Sequence, residues 1–192
     1  MKKKWFALLI AVLTIIMTAC GKGEIKDAVN WPVGEFEYTN QNGDSFGLKD
    51  LKGKVWVADF IFTNCADVCP PMTNNMKKLQ DKTKKEGIKN IQFVSFSVDP
   101  TVDTPEILKK YADNYDVNYK TWNFLTGYTQ KEIENFAKDS FKSLVVKPET
   151  GDQVAHYTYF YLVGPEGKVL KYYTGLNDIP YEDIIKDIKT LQ

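Results

Sequence analysis

Two cysteines, Cys65 and Cys69, stand where a nearly continuous apolar run, Lys54–Phe62, gives way to Pro70-Pro71 and a helical pattern of apolar residues. The run has the length and composition of a strand covered on both faces. Two prolines suit the first turn of a helix, where an absent N–H costs nothing. A chain that passes from a buried strand directly into a helix places the residues between them at one end of the sheet. There the helix N-terminus favours negative charge, so thiols delivered to it are reactive or metal-binding.

The rest of the chain supplies partners for this unit. Met72, Met76 and Leu79 recur at helical spacing, and Gly87 marks the stop. Ile91–Val98 reads as a second buried strand ending at Asp99-Pro100, and Thr104-Pro105 opens a helix with Ile107, Leu108, Tyr111 and Tyr115 on one side. Asn123–Leu125 reads as a short strand, and Thr129 with Glu132 as a capping box ahead of Ile133, Phe136 and Ala137. Tyr157–Val163 and Lys168–Tyr173 bracket Gly164-Pro-Glu-Gly167, a hairpin turn. Pro180 opens a last helix with Ile184, Ile185, Ile188 and Leu191 inward. Near the start, Phe36–Tyr38 and Ser45–Leu48 flank Asn40–Gly43 as a β-hairpin. Alternating β-α units closed by a hairpin and a helix predict an α/β, thioredoxin-like fold with an N-terminal β-hairpin and an inserted helix.

The first twenty residues lie apart from that fold. Lys2, Lys3 and Lys4 precede an apolar stretch, Trp5–Met17, too short to span a bilayer, and then come Thr18-Ala19-Cys20-Gly21. The pattern resembles a bacterial lipoprotein signal, with residues 1–19 removed and Cys20 acylated as the new N-terminus. Residues 20–30 then form a lipid-anchored tether and residues 31–192 one domain. Acylation would hold the protein on the extracytoplasmic face of the cell membrane, since each buried CH₂ contributes about 0.8 kcal/mol. The 192-residue chain has a formal net charge of zero, and the part from Cys20 onward has 22 Lys against 25 Asp plus Glu. Nothing in that balance calls for nucleic acid, and a monomer is expected.

With Cys20 acylated, Cys65 and Cys69 are the only remaining thiols, in a compartment where disulfides survive. They pair, hold a metal, or alternate between the two. His156 is the one histidine in the chain and immediately precedes the apolar run that should lie beside Lys54–Phe62. Soft thiolates select Cu(I) or zinc, and an imidazole adds a borderline ligand. Thioredoxin-type dithiol oxidoreductases generally carry a proline before the strand that faces their cysteines. This chain has Ala155-His156 there, which favours a metal carrier over a redox enzyme. Asp59 interrupts the buried strand and Asp99 ends its neighbour. Asp59 either tunes the site or is a backbone-bonded core carboxylate; Asp99 either supports the site or caps a turn. Met72 and Met76 are read as core residues, not copper ligands.

At Phe62–Met72, at Ser95–Pro100 with Asp103-Thr-Pro105, and at His156 before Phe160–Pro165, the sequence resembles the SCO (SenC) family. The match runs in register from roughly Trp31 to the C-terminus. The resemblance implies that Cys65, Cys69 and His156 bind one copper ion, Cu(I) or Cu(II), and that Cys65 and Cys69 form a redox dithiol. It implies a partner, the CuA domain of cytochrome c oxidase subunit II, whose copper centre the protein would help to assemble. Copper delivery and reduction of that subunit's cysteines remain two readings of the role, and a zinc site a third.

Overall fold

The computed structural model describes residues 23–192, a mixed α/β architecture. The expected signal sequence, Cys20 and the first residues of the expected tether lie outside the described residues. The remainder of that segment packs on the domain, with Ile25 buried and the Val29 N–H donating to the Leu170 carbonyl at 3.0 Å.

The central strand is β4 (Val55–Ile61), in which every residue is buried. Its parallel neighbour is β5 (Ile91–Ser97), followed by β6 (Trp122–Thr126), also parallel. On the other side β9 (Tyr159–Val163) runs antiparallel to β4, with Trp56 opposite Val163 and Ala58 opposite Tyr161. β10 (Lys168–Thr174) continues the sheet as the second arm of the C-terminal hairpin. Apart from Lys54 and Asp59 the run Lys54–Phe62 is apolar, because packing covers both faces of β4.

Both edges are closed by the N-terminal segment. β1 (Trp31–Pro32) pairs with β10 at one edge. The expected hairpin, β2 (Glu37–Asn40) and β3 (Ser45–Gly47), docks on β6 at the other. Gly43, at φ 84°, supplies the left-handed residue of its turn. The eight-stranded order is therefore β1-β10-β9-β4-β5-β6-β2-β3. The outermost strands, β1 and β3, are two and three residues long, and such short edges leave little unpaired backbone to invite association.

Five helices complete the described fold. They are α1 (Leu48–Leu51), α2 (Cys69–Lys85), α3 (Pro105–Asp113), α4 (Gln130–Phe141) and α5 (Tyr181–Thr190). α4 begins with the expected capping box, Thr129 Oγ accepting from the Glu132 N–H and the Glu132 carboxylate accepting from the Thr129 N–H. α2 and α5 lie side by side, joined by Lys82–Glu182 and Lys189–Glu86 ion pairs at 2.8 Å each. In α3 the buried residues are Leu108 and Ala112, whereas Ile107 is 39% exposed, so the inward stripe is narrower than its apolar residues suggest.

Side chains alternate along β4. Trp56 and Phe60 both meet Phe141 of α4, so Val57, Asp59 and Ile61 point to the opposite face. Met72 and Met76 are fully buried core residues.

Candidate metal centre

β4 ends at Ile61, and a short loop brings Cys65 and then Cys69, the first residue of α2, to the C-terminal end of the parallel strands. Open α/β sheets place ligand sites there. Pro70 and Pro71 occupy the first turn of α2 and forfeit no intrahelical bond. The Cys69 N–H points at the Cys65 sulfur, 3.3 Å away. Cys69 is fully buried and Cys65 partly exposed; both are free thiols.

His156 approaches from the far side of the chain. It belongs to a separate two-stranded sheet, β7 (Val145–Val146) with β8 (Ala155–His156), in which Val145 stands opposite His156. The sequence puts it directly ahead of the run Tyr157–Val163; in the structure Tyr157 and Thr158 intervene, and the main sheet resumes only at Tyr159. The imidazole Nδ1 lies 3.0 Å from the Tyr157 carbonyl oxygen. A carbonyl only accepts, so Nδ1 carries the proton and Nε2 keeps its lone pair. Nε2 faces Cys69 Sγ at 3.4 Å, and the ring stands edge-on to Phe62 at 5.9 Å. One nitrogen and two sulfurs thus lie within 4.8 Å of one another, a set able to hold a metal ion.

The two thiols are electrostatically unequal. The adjacent Cys69 thiol is the largest influence holding the Cys65 thiol well below its ordinary value; the backbone N–H groups of Cys69 and Asp67 reinforce it. Cys69 moves up, because Cys65 takes the negative charge and because Cys69 is buried. Cys69 Sγ thus faces two groups able to accept its proton, the Cys65 sulfur and His156 Nε2.

Asp59 is fully buried, and neither carboxylate oxygen has a hydrogen-bond partner among the described residues. Ser95 is its neighbour on β5, but its hydroxyl falls short of bonding Asp59 and accepts the Trp122 indole N–H at 2.9 Å. Burial therefore pushes the Asp59 carboxyl up to about 7. The backbone-bonded alternative for this side chain does not describe it.

Asp99 has local partners. Its carboxylate accepts from Lys147 Nζ at 2.6 Å and from the Thr101 hydroxyl at 2.8 Å. Its carbonyl closes the turn by accepting from the N–H groups of Val102 and Asp103. None of these bonds reaches Cys65, Cys69 or His156.

Asp103 escaped sequence reading. It is fully buried, and its carboxylate accepts the Thr63 hydroxyl and the Ser97 hydroxyl at 2.6 Å each, with the Thr63 N–H at 3.3 Å. It thereby pins the start of the cysteine loop to the end of β5, two residues before Cys65. The available signal was its place in Asp103-Thr104-Pro105, which also reads as ordinary helix-start chemistry.

Residues 27–192 match the model of the SCO1/SenC family. A SCO1/SenC family lipoprotein from Bacillus anthracis str. Ames is similar in structure, with 55% identity, a TM-score of 0.84, and coverage of 87% of this chain and 98% of that one. BsSco is a member of the Sco family of cytochrome c oxidase assembly proteins in which a disulfide switch has been identified. It is 55% identical, with a TM-score of 0.81 over 88% of this chain and 97% of its own. Yeast Sco1 with copper bound has a TM-score of 0.68 and 26% identity, covering 83% of this chain and 89% of that one. With its curled thioredoxin-like sheet, its Cys-Cys-His cluster and a match along nearly all the described residues, this chain belongs to the SCO1/SenC family.

Proposed function

We propose that the protein is an extracytoplasmic, lipid-anchored copper carrier that assists assembly of the CuA centre in cytochrome c oxidase subunit II. The observation that carries this reading is the convergence of Cys65 Sγ, Cys69 Sγ and His156 Nε2 within 4.8 Å. The donor set fits copper: two soft sulfurs suit Cu(I), and the imidazole adds a ligand acceptable to Cu(II). Copper is the cargo here. Each residue has a distinct task. Cys65, more exposed and already a thiolate, is the first donor available to an arriving ion. Cys69 releases its proton on binding. His156 is held in the correct tautomer by the Tyr157 carbonyl, so no rotation is needed before Nε2 binds.

The lipid anchor rests on Cys20 within its signal pattern and on the similar lipoprotein from B. anthracis. Among the described residues no helix is long and apolar enough to cross a membrane.

The unequal thiols favour a second reading, reduction of the client's cysteines. A thiolate beside a protonated partner is the starting state of thiol–disulfide exchange. The two readings separate in a deletion strain rescued by wild type, His156→Ala or Cys65→Ser, with and without added copper. Restoration of oxidase by copper alone supports delivery. Full rescue by His156→Ala, with or without added copper, supports thiol chemistry and removes carriage of Cu(II), leaving only Cu(I) held by the dithiol as a carrier form.

A further inference from the structure

The two loops that carry the cluster are tied together by side chains that bind no metal. Asn64, immediately before Cys65, donates from Nδ2 to the Asp152 carboxylate at 2.8 Å. Gln153 reaches the other way, donating from Nε2 to the Asn64 carbonyl at 3.0 Å and to Asp152 at 3.2 Å. Its own carbonyl oxygen stands 3.5 Å from the Ala66 N–H, on the far side of Cys65. One glutamine amide thus spans the backbone around Cys65, much as an added strand would.

The placement of these groups is specific. Gln153 is three residues from His156, and Val154 between them is buried, which seats the short intervening backbone against the core. On its other flank His156 is anchored by the Val145–His156 pairing of β7 and β8. The dithiol needs no such device, because Cys69 is fixed in α2 and Cys65 follows β4 through the Thr63–Asp103 bonds. What depends on the clasp is the distance between the histidine loop and the cysteine loop. Asn64, Asp152 and Gln153 are all exposed, so each bond is weak and reversible.

We propose that Asn64, Asp152 and Gln153 are positioning residues, a polar clasp that keeps His156 within ligand distance of the dithiol. This rests on the copper reading above and extends it: the clasp decides whether the site offers two ligands or three. Two thiolates suffice for Cu(I), whereas Cu(II) requires the imidazole. Opening the clasp should therefore weaken Cu(II) selectively.

The test uses the reduced protein loaded with Cu(I) or Cu(II), with His156→Ala as the reference for a lost third ligand. Gln153→Ala and Asn64→Ala should each lower Cu(II) affinity by roughly five- to tenfold, the worth of one or two exposed hydrogen bonds. Their Cu(II) absorption and EPR spectra should shift toward those of His156→Ala, with Cu(I) affinity changed less than about threefold. The exchanged pair N64D/D152N retains a donor facing an acceptor and should restore the wild-type spectrum. Wild-type Cu(II) affinity and spectra in both single variants, with His156→Ala altered, would overturn the clasp and leave the copper site standing. An unaltered His156→Ala would overturn both. Equal losses of Cu(I) and Cu(II) in the clasp variants, unrestored by the exchanged pair, would show general loop damage and also defeat the proposal.

Discussion

His156 Nε2 lies 3.4 Å from Cys69 Sγ although 87 residues separate them in the chain. The strands that bring them together, β4 and β9, are hydrogen-bonded neighbours, while the histidine itself stands on a two-residue strand outside the main sheet. The third ligand is therefore held by less structure than the first two. His156→Ala should keep Cu(I) affinity within about tenfold, because the dithiol remains. Its Cu(II) form should lose the wild-type absorption and EPR signature. Titration of the two oxidation states separately measures both effects.

The thiols should react unequally. Cys65, held well below its usual range by the Cys69 thiol and backbone N–H groups, is a thiolate across the neutral range; Cys69 is buried and protonated. Alkylation of reduced, metal-free protein should be confined at first to Cys65, at a rate nearly constant from about pH 5 to 8, unlike an ordinary thiol near 8.5. Peptide mapping after limiting iodoacetamide identifies the residue. Faster labelling of Cys69 would contradict this asymmetry.

Asp59 should make the reduced apoprotein less stable as pH rises. Its carboxyl stands near 3.8 when solvated and about 7 when folded. Below pH 4 the group is protonated in both states and imposes no ionisation cost. Between 4 and 7 the unfolded chain ionises first, so the folded state loses stability, and above 7 the full cost applies, roughly 4 kcal/mol at most. Asp59→Asn should lack that decline and be the more stable protein at pH 8. Urea unfolding at pH 5 and pH 8 compares the two slopes.

Removal of Asp103 should damage the cysteine loop more than its distance from the dithiol suggests. Asp103→Ala deprives the Thr63 hydroxyl, the Thr63 N–H and the Ser97 hydroxyl of their acceptor in a buried site. A loss of about 2–4 kcal/mol follows from leaving such donors unpaired. Asp103→Asn, which keeps one acceptor oxygen, should lose less. Denaturant unfolding gives the magnitudes, and faster exchange of amides 63–66 would locate the effect.

Much of the fold was legible because its signals are local. β4 and β5 are apolar runs bounded by turn residues, α2 starts at paired prolines, and α4 starts at Thr129 with Glu132 three residues on. Periodicity and capping depend only on neighbours in the chain. β1, β7 and β8 escaped because two residues carry no period; their partners are supplied by remote strands. The attachment of the β2–β3 hairpin to β6 was hidden for the same reason.

The site divides along the same line. Sequence alone determined which atoms were available: two thiols at a strand–helix junction, one imidazole, and a carboxylate inside a buried strand. It also determined the family, through motifs spread along the chain. Only the tertiary structure decided that Asp59 is left without a hydrogen-bond partner among the described residues, that Asp99 turns toward Lys147, that Asp103 braces Thr63, and that Asn64 meets Asp152 and Gln153. A residue's chemistry is carried by the residue itself, but its hydrogen-bond partner and its exposure to water are properties of the packed chain. Those two properties set the charge, orientation and reach of every group at this site.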